Sequence, residues 1–301
     1  MTKSMDEELI KWKKAGELAS EAREYGKTLL KEGSNLYEIA LKIEDFIIKK
    51  NAKPGFPVQI SKNNIAAHYT PLPNDSAAIE KGDVVKLDLG VHIDGYIGDT
   101  ALTVEIETNN YKDIIDASRK ALDAAISVCR PGIKINEIGK VISASIPKNL
   151  KVIKNLTGHK IDRYILHSNL SIPNYDNNDK TELNEGTVIA IEPHVSNGVG
   201  LVRNGKPSSN YRLYNISKNT RDVIARDVLS FIKKEFITLP FAARHLIKKF
   251  PLGKINHALA VLEKDEILYQ YPQLPERDEN CVVSQHEHTI YISDPVIVLT
   301  K

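Results

Sequence analysis

Residues 88–99, DLGVHIDGYIGD, place three aspartates in a run otherwise composed like a strand, where acidic side chains are depleted. Asp94-Gly95 is a two-residue hairpin signal between apolar, β-branched segments. With that turn, Ile93 pairs with Tyr96, Gly90 with Asp99 and Asp88 with Ala101. Cross-strand partners share a face, as do residues two apart on one strand. Asp88 and Asp99 therefore become diagonal neighbours, their Cα atoms roughly 7–8 Å apart. Asp94 is then only a turn residue. Two carboxylates turned on one point repel unless a cation lies between them, and Gly90 is expected to leave room for it. The alternative is a solvated acidic face on an edge hairpin.

Three more residues bear on that choice. Glu192 sits in the apolar run VIAIEP, kept extended by Pro193. Glu287 sits in QHEHTIYI, where Glu287, Thr289 and Tyr291 alternate onto one face, and His159 follows a glycine in NLTGHKI, on an expected loop. Singly, each reads as a structural residue. Converging on Asp88 and Asp99, they make a donor set of four carboxylates and one imidazole, too much negative charge for one divalent ion and suited to two. Hard oxygen with one nitrogen fits Mn, Fe(II), Co or Zn better than Cu, and argues against a thiolate structural site. Two ions about 3.5–4 Å apart can hold a bridging water, lower its pKa to around 7 and clamp a carbonyl oxygen. That is hydrolytic chemistry.

The elements that must position these groups come as a repeat. Residues 6–31 carry apolar side chains at helical intervals and end before Gly33, a C-terminal cap signal. A second helix starts after Asn35, with Glu38 three residues on and Ile39, Ile43 and Ile47 as its inner face. Residues 112–129 form another helix, and Glu137, Ile138, Ile142 and Ile146 repeat Glu38, Ile39, Ile43 and Ile47 at an offset of 99, which also carries His68 onto His167. GDVVKLD (82–88) aligns with GTVIAIE (186–192), setting Asp88 opposite Glu192. A duplicated unit of two helices followed by strands, each delivering a His and then a carboxylate, accounts for this. Residues from about 218 to 275 lack a counterpart and read as a helical insertion (RDVIARDVLSFIKKEF, LPFAARHLIKKF, NHALAVLEKD), after which strand composition returns.

Composition narrows the function classes. The 301 residues are 42% hydrophobic and 27% charged, with a net charge of +2, as in soluble globular proteins. Lysines are scattered or in short pairs such as Lys233-Lys234 and Lys248-Lys249, so no nucleic-acid surface is expected. The N-terminal MTKSMDEEL has no signal-peptide core and no stretch reaches membrane-span length, so a cytoplasmic protein without membrane contact is expected. Cys129 and Cys281 match no metal spacing and read as buried thiols.

In order along the chain, FPVQISKNNIAAHYTP (56–71), KLDLGVHIDGYIGDTALTV (86–104), NLTGHKIDRYILH (155–167), VIAIEP (188–193) and QHEHT (285–289) resemble the pita-bread metallopeptidases, and among them the type 2 methionine aminopeptidases of archaeal style. The resemblance spans nearly the whole chain. It implies an α+β pita-bread fold: a pseudo-two-fold repeat whose curved antiparallel sheet is covered by helices. The catalytic domain would comprise residues 1–217 and 276–301, with 218–275 as the helical insertion subdomain. It implies two divalent metal ions (Co, Mn, Fe or Zn) on Asp88, Asp99, His159, Glu192 and Glu287, with Asp99 and Glu287 bridging. It further implies attack by the bridging hydroxide on the first residue's carbonyl, with Glu192 shuttling the proton and His68 and His167 binding substrate and polarising the intermediate.

The same resemblance implies a substrate: the N-terminal methionine of nascent peptides, with Phe56 and Tyr271 walling its pocket and only small second residues accepted. The enzyme is expected to be a monomer that associates transiently with ribosomes. There are departures. His286 stands where the family usually has an aromatic, either tuning the site or packing on the insertion, and the segment around Asn210 and Tyr211 matches the pocket region only loosely. One rival is an Xaa-Pro dipeptidase, whose relatives usually carry an extra N-terminal domain. Another is a metal-free binding module on the same fold, in which ligands are usually lost; here all five are present.

Overall fold

The computed structural model describes residues 2–73 and 75–301. The first half runs α1 (Thr2–Leu29), α2 (Leu36–Lys49), β1 (Lys53–Lys62), β2 (Ile65–Ala67), β3 (Val84–Ile93) and β4 (Tyr96–Glu105). The second runs α3 (Lys112–Val128), α4 (Ile135–Ala144), β5 (Lys151–Val152), β6 (Gly158–Lys160), β7 (Ser171–Ile172), β8 (Val188–Ile191) and β9 (His194–Ser196). An excursion follows: β10 (Pro207–Leu213), α5 (Val223–Glu235), β11 (Phe241–Ala242), α6 (Ala243–Leu246), α7 (Leu252–Lys264) and β12 (Leu268–Pro272). The chain then returns through β13 (Leu274–Pro275), β14 (Val283–Gln285), β15 (His288–Tyr291) and β16 (Ile297–Val298).

The duplication is visible in backbone hydrogen bonds. The Gly33 N–H donates to Ile79 O and Leu36 N–H to Ala77 O; their counterparts are Gly132 to Leu183 and Ile135 to Thr181. Each half buries an amphipathic helix pair on its own strands. In the first, Leu36, Ile39, Ile43 and Ile47 of α2 pack with Leu87, Leu89 and Val91 of β3. In the second, Ile135, Ile138 and Ile142 of α4 pack with Ile189, Ile191 and Ile290. The N-cap of α2 is Asn35, whose side chain accepts from Glu38 N at 3.1 Å, satisfying one of the amides left free at a helix start.

The predicted hairpin has the predicted register: Ile93 pairs with Tyr96, Gly90 with Asp99 and Asp88 with Ala101, around positive-φ Asp94 and Gly95. The order β1-β3-β4 makes one antiparallel sheet, and β16-β15-β8-β6-β7 another. An isolated bridge from Ala101 to Glu287 joins them. The metal-ligand candidates cluster at this seam between the halves.

Three expectations are corrected. His159 is on strand β6, paired with Ala190, not on a loop; a Cβ on Gly158 would lie 2.2 Å from Ala190 O, so this glycine marks close approach of two strands. The room beside Gly90 is taken by Phe56, whose ring atoms lie 2.4–2.7 Å from where a Cβ would be. The segment LPFAARHLIKKF is mostly not helix: it gives the two-residue β11 and a single turn, α6, because Phe241 and Ala242 pair with Tyr211 and Asn210 of β10. The excursion has its own apolar core, from Tyr211 and Leu213 through Phe241 to Leu268. It is tied to the first half by Arg244, whose guanidinium meets the Glu44 carboxylate at 2.6–3.1 Å. No helix among the described residues is long and apolar enough to cross a membrane.

Candidate metal centre and active site

One cavity of about 210 Å³ is lined by Asp88, Asp99, His159, Glu192 and Glu287, and also by His68, His167, Phe56 and Tyr271. Every residue singled out from the sequence for chemistry or substrate contact faces the same space. Asp88 comes from β3, Asp99 from β4, His159 from β6, Glu192 from the end of β8, and Glu287 from the link between β14 and β15. Single ligand atoms of Asp99, His159 and Glu287 lie within 4.8 Å of one another. His159 Nε2 is 3.5 Å from Asp99 Oδ2 and 3.7 Å from Glu192 Oε1.

The protein alone does not satisfy this arrangement. Among the described residues, Asp88 Oδ1 and Asp99 Oδ1 are buried without hydrogen-bond partners, a cost that folded proteins avoid unless something else binds there. Burial pushes the Asp88 carboxyl up to about 7, opposed by a hydrogen bond from Gln285. Asp99, Glu192 and Glu287 are raised well above the usual carboxylate range, first by burial and then by repulsion from neighbouring carboxylates, Asp88 acting on all three. Burial drives His159 down to about 4, so its ring is neutral and able to ligate. Buried, mutually repelling carboxylates with unpartnered oxygens beside a neutral imidazole fit divalent cations.

Supporting contacts fix the ligands. Gln285 Nε2 donates to Glu287 Oε2 at 3.2 Å, and Asn174 Nδ2 to the Glu192 carbonyl at 3.3 Å. His194, fully buried, lies with Nδ1 3.0 Å from that same carbonyl. Gln285 and Thr289 lie two residues either side of Glu287, so strand alternation alone put them on the ligand's face. Asn174 and His194 carried no such signal.

His68 holds a positive φ of 69°, strained for a residue other than glycine. Its backbone is fixed from two sides: its N–H donates to Gln59 Oε1 at 2.9 Å and its carbonyl accepts from Ser208 Oγ at 2.5 Å. Burial lowers its pKa to about 4. The neutral ring therefore donates Nδ1–H to Pro272 O, 3.1 Å away, leaving Nε2 as an acceptor. The His167 ring centroid is 4.3 Å from that of His159. Desolvation and the neighbouring His159, His68 and Arg212 lower its pKa, although the residue as a whole is exposed. Tyr271 stands edge-on to His68 at 5.3 Å, and Phe56 is 2% exposed.

His286 does not line the cavity, and its ring contact is with the second half of the chain. Alternation turns it to the opposite face of the strand from Glu287, where Nδ1 meets Ser118 Oγ of α3 at 2.7 Å.

The fold and this donor set define a metal-dependent hydrolase of the pita-bread type. Residues 11–224 match metallopeptidase family M24, and the chain belongs to that family. It is 47% identical over 290 residues to a methionine aminopeptidase of Pyrococcus abyssi, a match covering 95% of this chain and 97% of the relative. Among solved structures it resembles a thermophilic Arx1, with a TM-score of 0.83 at 18% identity over 97% of this chain and 90% of that one. It also resembles the methionine aminopeptidase of Rickettsia prowazekii, with a TM-score of 0.71 at 23% identity over 98% of each chain. At those identities the structural likeness is one of fold.

Proposed function

We propose that this chain is a methionine aminopeptidase that removes the first methionine of nascent proteins whose second residue is small. The observation that carries the reading is the convergence of four carboxylates and a neutral imidazole on one cavity, in a chain that is 47% identical over 290 residues to a methionine aminopeptidase. Asp88, Asp99, His159, Glu192 and Glu287 would hold two divalent ions, drawn from Co, Mn, Fe or Zn. When bound, such ions supply a water acidified to a pKa near 7 and Lewis-acid polarisation of the scissile carbonyl.

The remaining chemistry falls to side chains. Glu192, partly open to the cavity, takes the proton from the attacking water on a carboxylate oxygen and returns it to the leaving amine. His68, an acceptor at Nε2, holds the N–H of the second residue and so orients the scissile amide. His167 donates to the carbonyl oxygen as negative charge develops there. The sequence assigned both histidines one shared role; the Pro272 contact of His68 favours dividing it. Phe56 and Tyr271 flank the pocket for the methionine side chain.

The same reading divides the chain into a catalytic body, residues 1–217 and 276–301, and an insertion, 218–275, for which β10 supplies the central strand. It takes the enzyme as a cytoplasmic monomer meeting its substrates as they leave the ribosome. The test is mass spectrometry of Met-Ala-Ser, Met-Leu-Ser, Leu-Ala-Ser and Ala-Pro after incubation with Mn-loaded protein. Release of methionine from Met-Ala-Ser, with the other three intact, is expected. Cleavage of Ala-Pro in preference to Met-Ala-Ser would replace the reading with an Xaa-Pro dipeptidase.

A further inference from the structure

A row of rings leads out of the cavity. Tyr271 lines the cavity and stands 5.3 Å from His68. Tyr269 follows edge-on at 5.2 Å. The Arg212 guanidinium then lies 5.5 Å from the centre of the Tyr269 ring and 5.6 Å from that of Tyr214. Exposure rises along the row, from half-buried Tyr271 to 42% at Tyr269 and 62% at Tyr214, so it runs from the site to solvent.

Strand pairing builds this row. Arg212 of β10 lies opposite Tyr269 of β12, and cross-strand partners share a face, as do residues two apart on one strand. Tyr211, Leu213 and Leu268 fill the apolar core of the insertion, so Arg212, Tyr269 and Tyr271 take the other face. The two outer rings hold the planar guanidinium by cation–π contact, and no carboxylate pairs with it among the described residues. Its charge is felt inside the cavity: after desolvation and the two neighbouring histidines, Arg212 is what lowers the His167 pKa.

A peptide whose first residue lies against Tyr271 has its later residues outside the cavity, and the row is a surface continuous with it. From Tyr271 to the guanidinium there are two steps, of 5.2 and 5.5 Å, which extended chain covers in roughly three residues. The third or fourth residue of the substrate comes level with a positive charge already held in place, and a carboxylate is the side-chain group that matches a guanidinium fork.

We propose that Arg212, held by Tyr269 and Tyr214, forms a downstream subsite that favours substrates with Asp or Glu at the third or fourth position. The inference rests on the aminopeptidase reading and goes beyond it, since that reading concerns the first two residues alone.

The experiment compares kcat/KM for Met-Ala-Asp-Asp-Ser and Met-Ala-Lys-Lys-Ser with the Mn-loaded full chain, in the wild type, Arg212→Gln and Arg212→Glu. The wild type should prefer the acidic peptide by about three- to tenfold, attraction of one charge and repulsion of the other each counting as a partly exposed pair. Arg212→Gln should bring the ratio to within about twofold of one, and Arg212→Glu should invert it; the glutamine variant keeps most of the stem and serves if the glutamate variant does not fold. Equal rates in the wild type, or an undiminished ratio in a folded variant, would overturn the inference while leaving the aminopeptidase reading intact. Release of methionine from neither peptide by the wild type would overturn that reading and the inference with it.

Discussion

Thr289 and Asp99 are locked together across the seam between the halves. The Asp99 N–H donates to Thr289 Oγ1 at 2.7 Å, and the same hydroxyl donates to the Asp99 carbonyl at 2.8 Å. One side chain of the second half thus closes a ring on the backbone of a metal-ligand candidate from the first. The bridge from Ala101 to Glu287 lies beside it, so Asp99 and Glu287 are set in register by the sheet that unites the repeats.

Removing that hydroxyl should loosen the ligand without removing it. Thr289→Val is expected to weaken metal binding by about 10–100-fold, the usual cost of losing a contact that orients a ligand, and Thr289→Ser should recover most of it. Metal titration by calorimetry checks both. Wild-type affinity in the valine variant would show that Asp99 needs no such clamp.

Asp99→Asn and Glu287→Gln each remove one charge from the cluster of candidate metal ligands. Both variants should lose metal and turnover together. Metal content by mass spectrometry, measured beside the rate, decides; full activity after chelation and reconstitution would rule out a shared-ligand centre.

His68→Ala should separate binding from chemistry. The metal content should stay at the wild-type level while kcat/KM for Met-Ala-Ser falls by about 10²–10³, the scale of removing one oriented hydrogen-bonding group from a reacting amide. Unchanged kinetics would remove His68 from the mechanism.

The metal-free centre should oppose folding as pH rises. Asp88 has its folded-state pKa raised to about 7 from an ordinary 3.8. Between those values the folded chain keeps a proton that the unfolded chain has released, so stability falls with rising pH. Buried imidazoles titrate in part of this window with the opposite sign, so the test is a difference. Metal-free Asp88→Asn should gain on metal-free wild type from about pH 4 to about pH 7 and then level off, by no more than about 4 kcal/mol. Paired urea titrations across that range measure it, and a flat difference would contradict it.

Breaking the tie between the insertion and the body should cost stability. Arg244, sealed from solvent, pairs with Glu44 and also donates to Pro71 O and Val58 O. Burial raises the Glu44 pKa, but Arg244 and His245 outweigh it and hold the carboxyl far below its ordinary value. Arg244→Ala leaves that charge buried and should destabilise by about 3–5 kcal/mol, read as a lowered midpoint in urea.

What the sequence disclosed follows from how locally each feature is determined. The turn at Asp94-Gly95 sets the register of both its strands, so the Asp88 and Asp99 geometry was legible from twelve residues. The repeat was legible because duplicated helices keep their apolar periodicity, and it brought His167 to the cavity through His68. Where a residue answers to distant chain, local signals misled. Gly158 looks like a loop glycine until Ala190 is brought against it, and Gly90 looks like space until Phe56 fills it. The segment around Phe241 has a helical pattern, yet β10 claims it. His286 carried a basic side chain beside a ligand, but alternation had already turned it away.

The most direct test is a titration of chelator-stripped protein with Mn while methionine release from Met-Ala-Ser is followed by mass spectrometry. The predicted result is no release without metal and a rate that climbs to a plateau by two ions per chain. Release that persists in the stripped protein, or a fully loaded centre that liberates no methionine, would contradict the assignment.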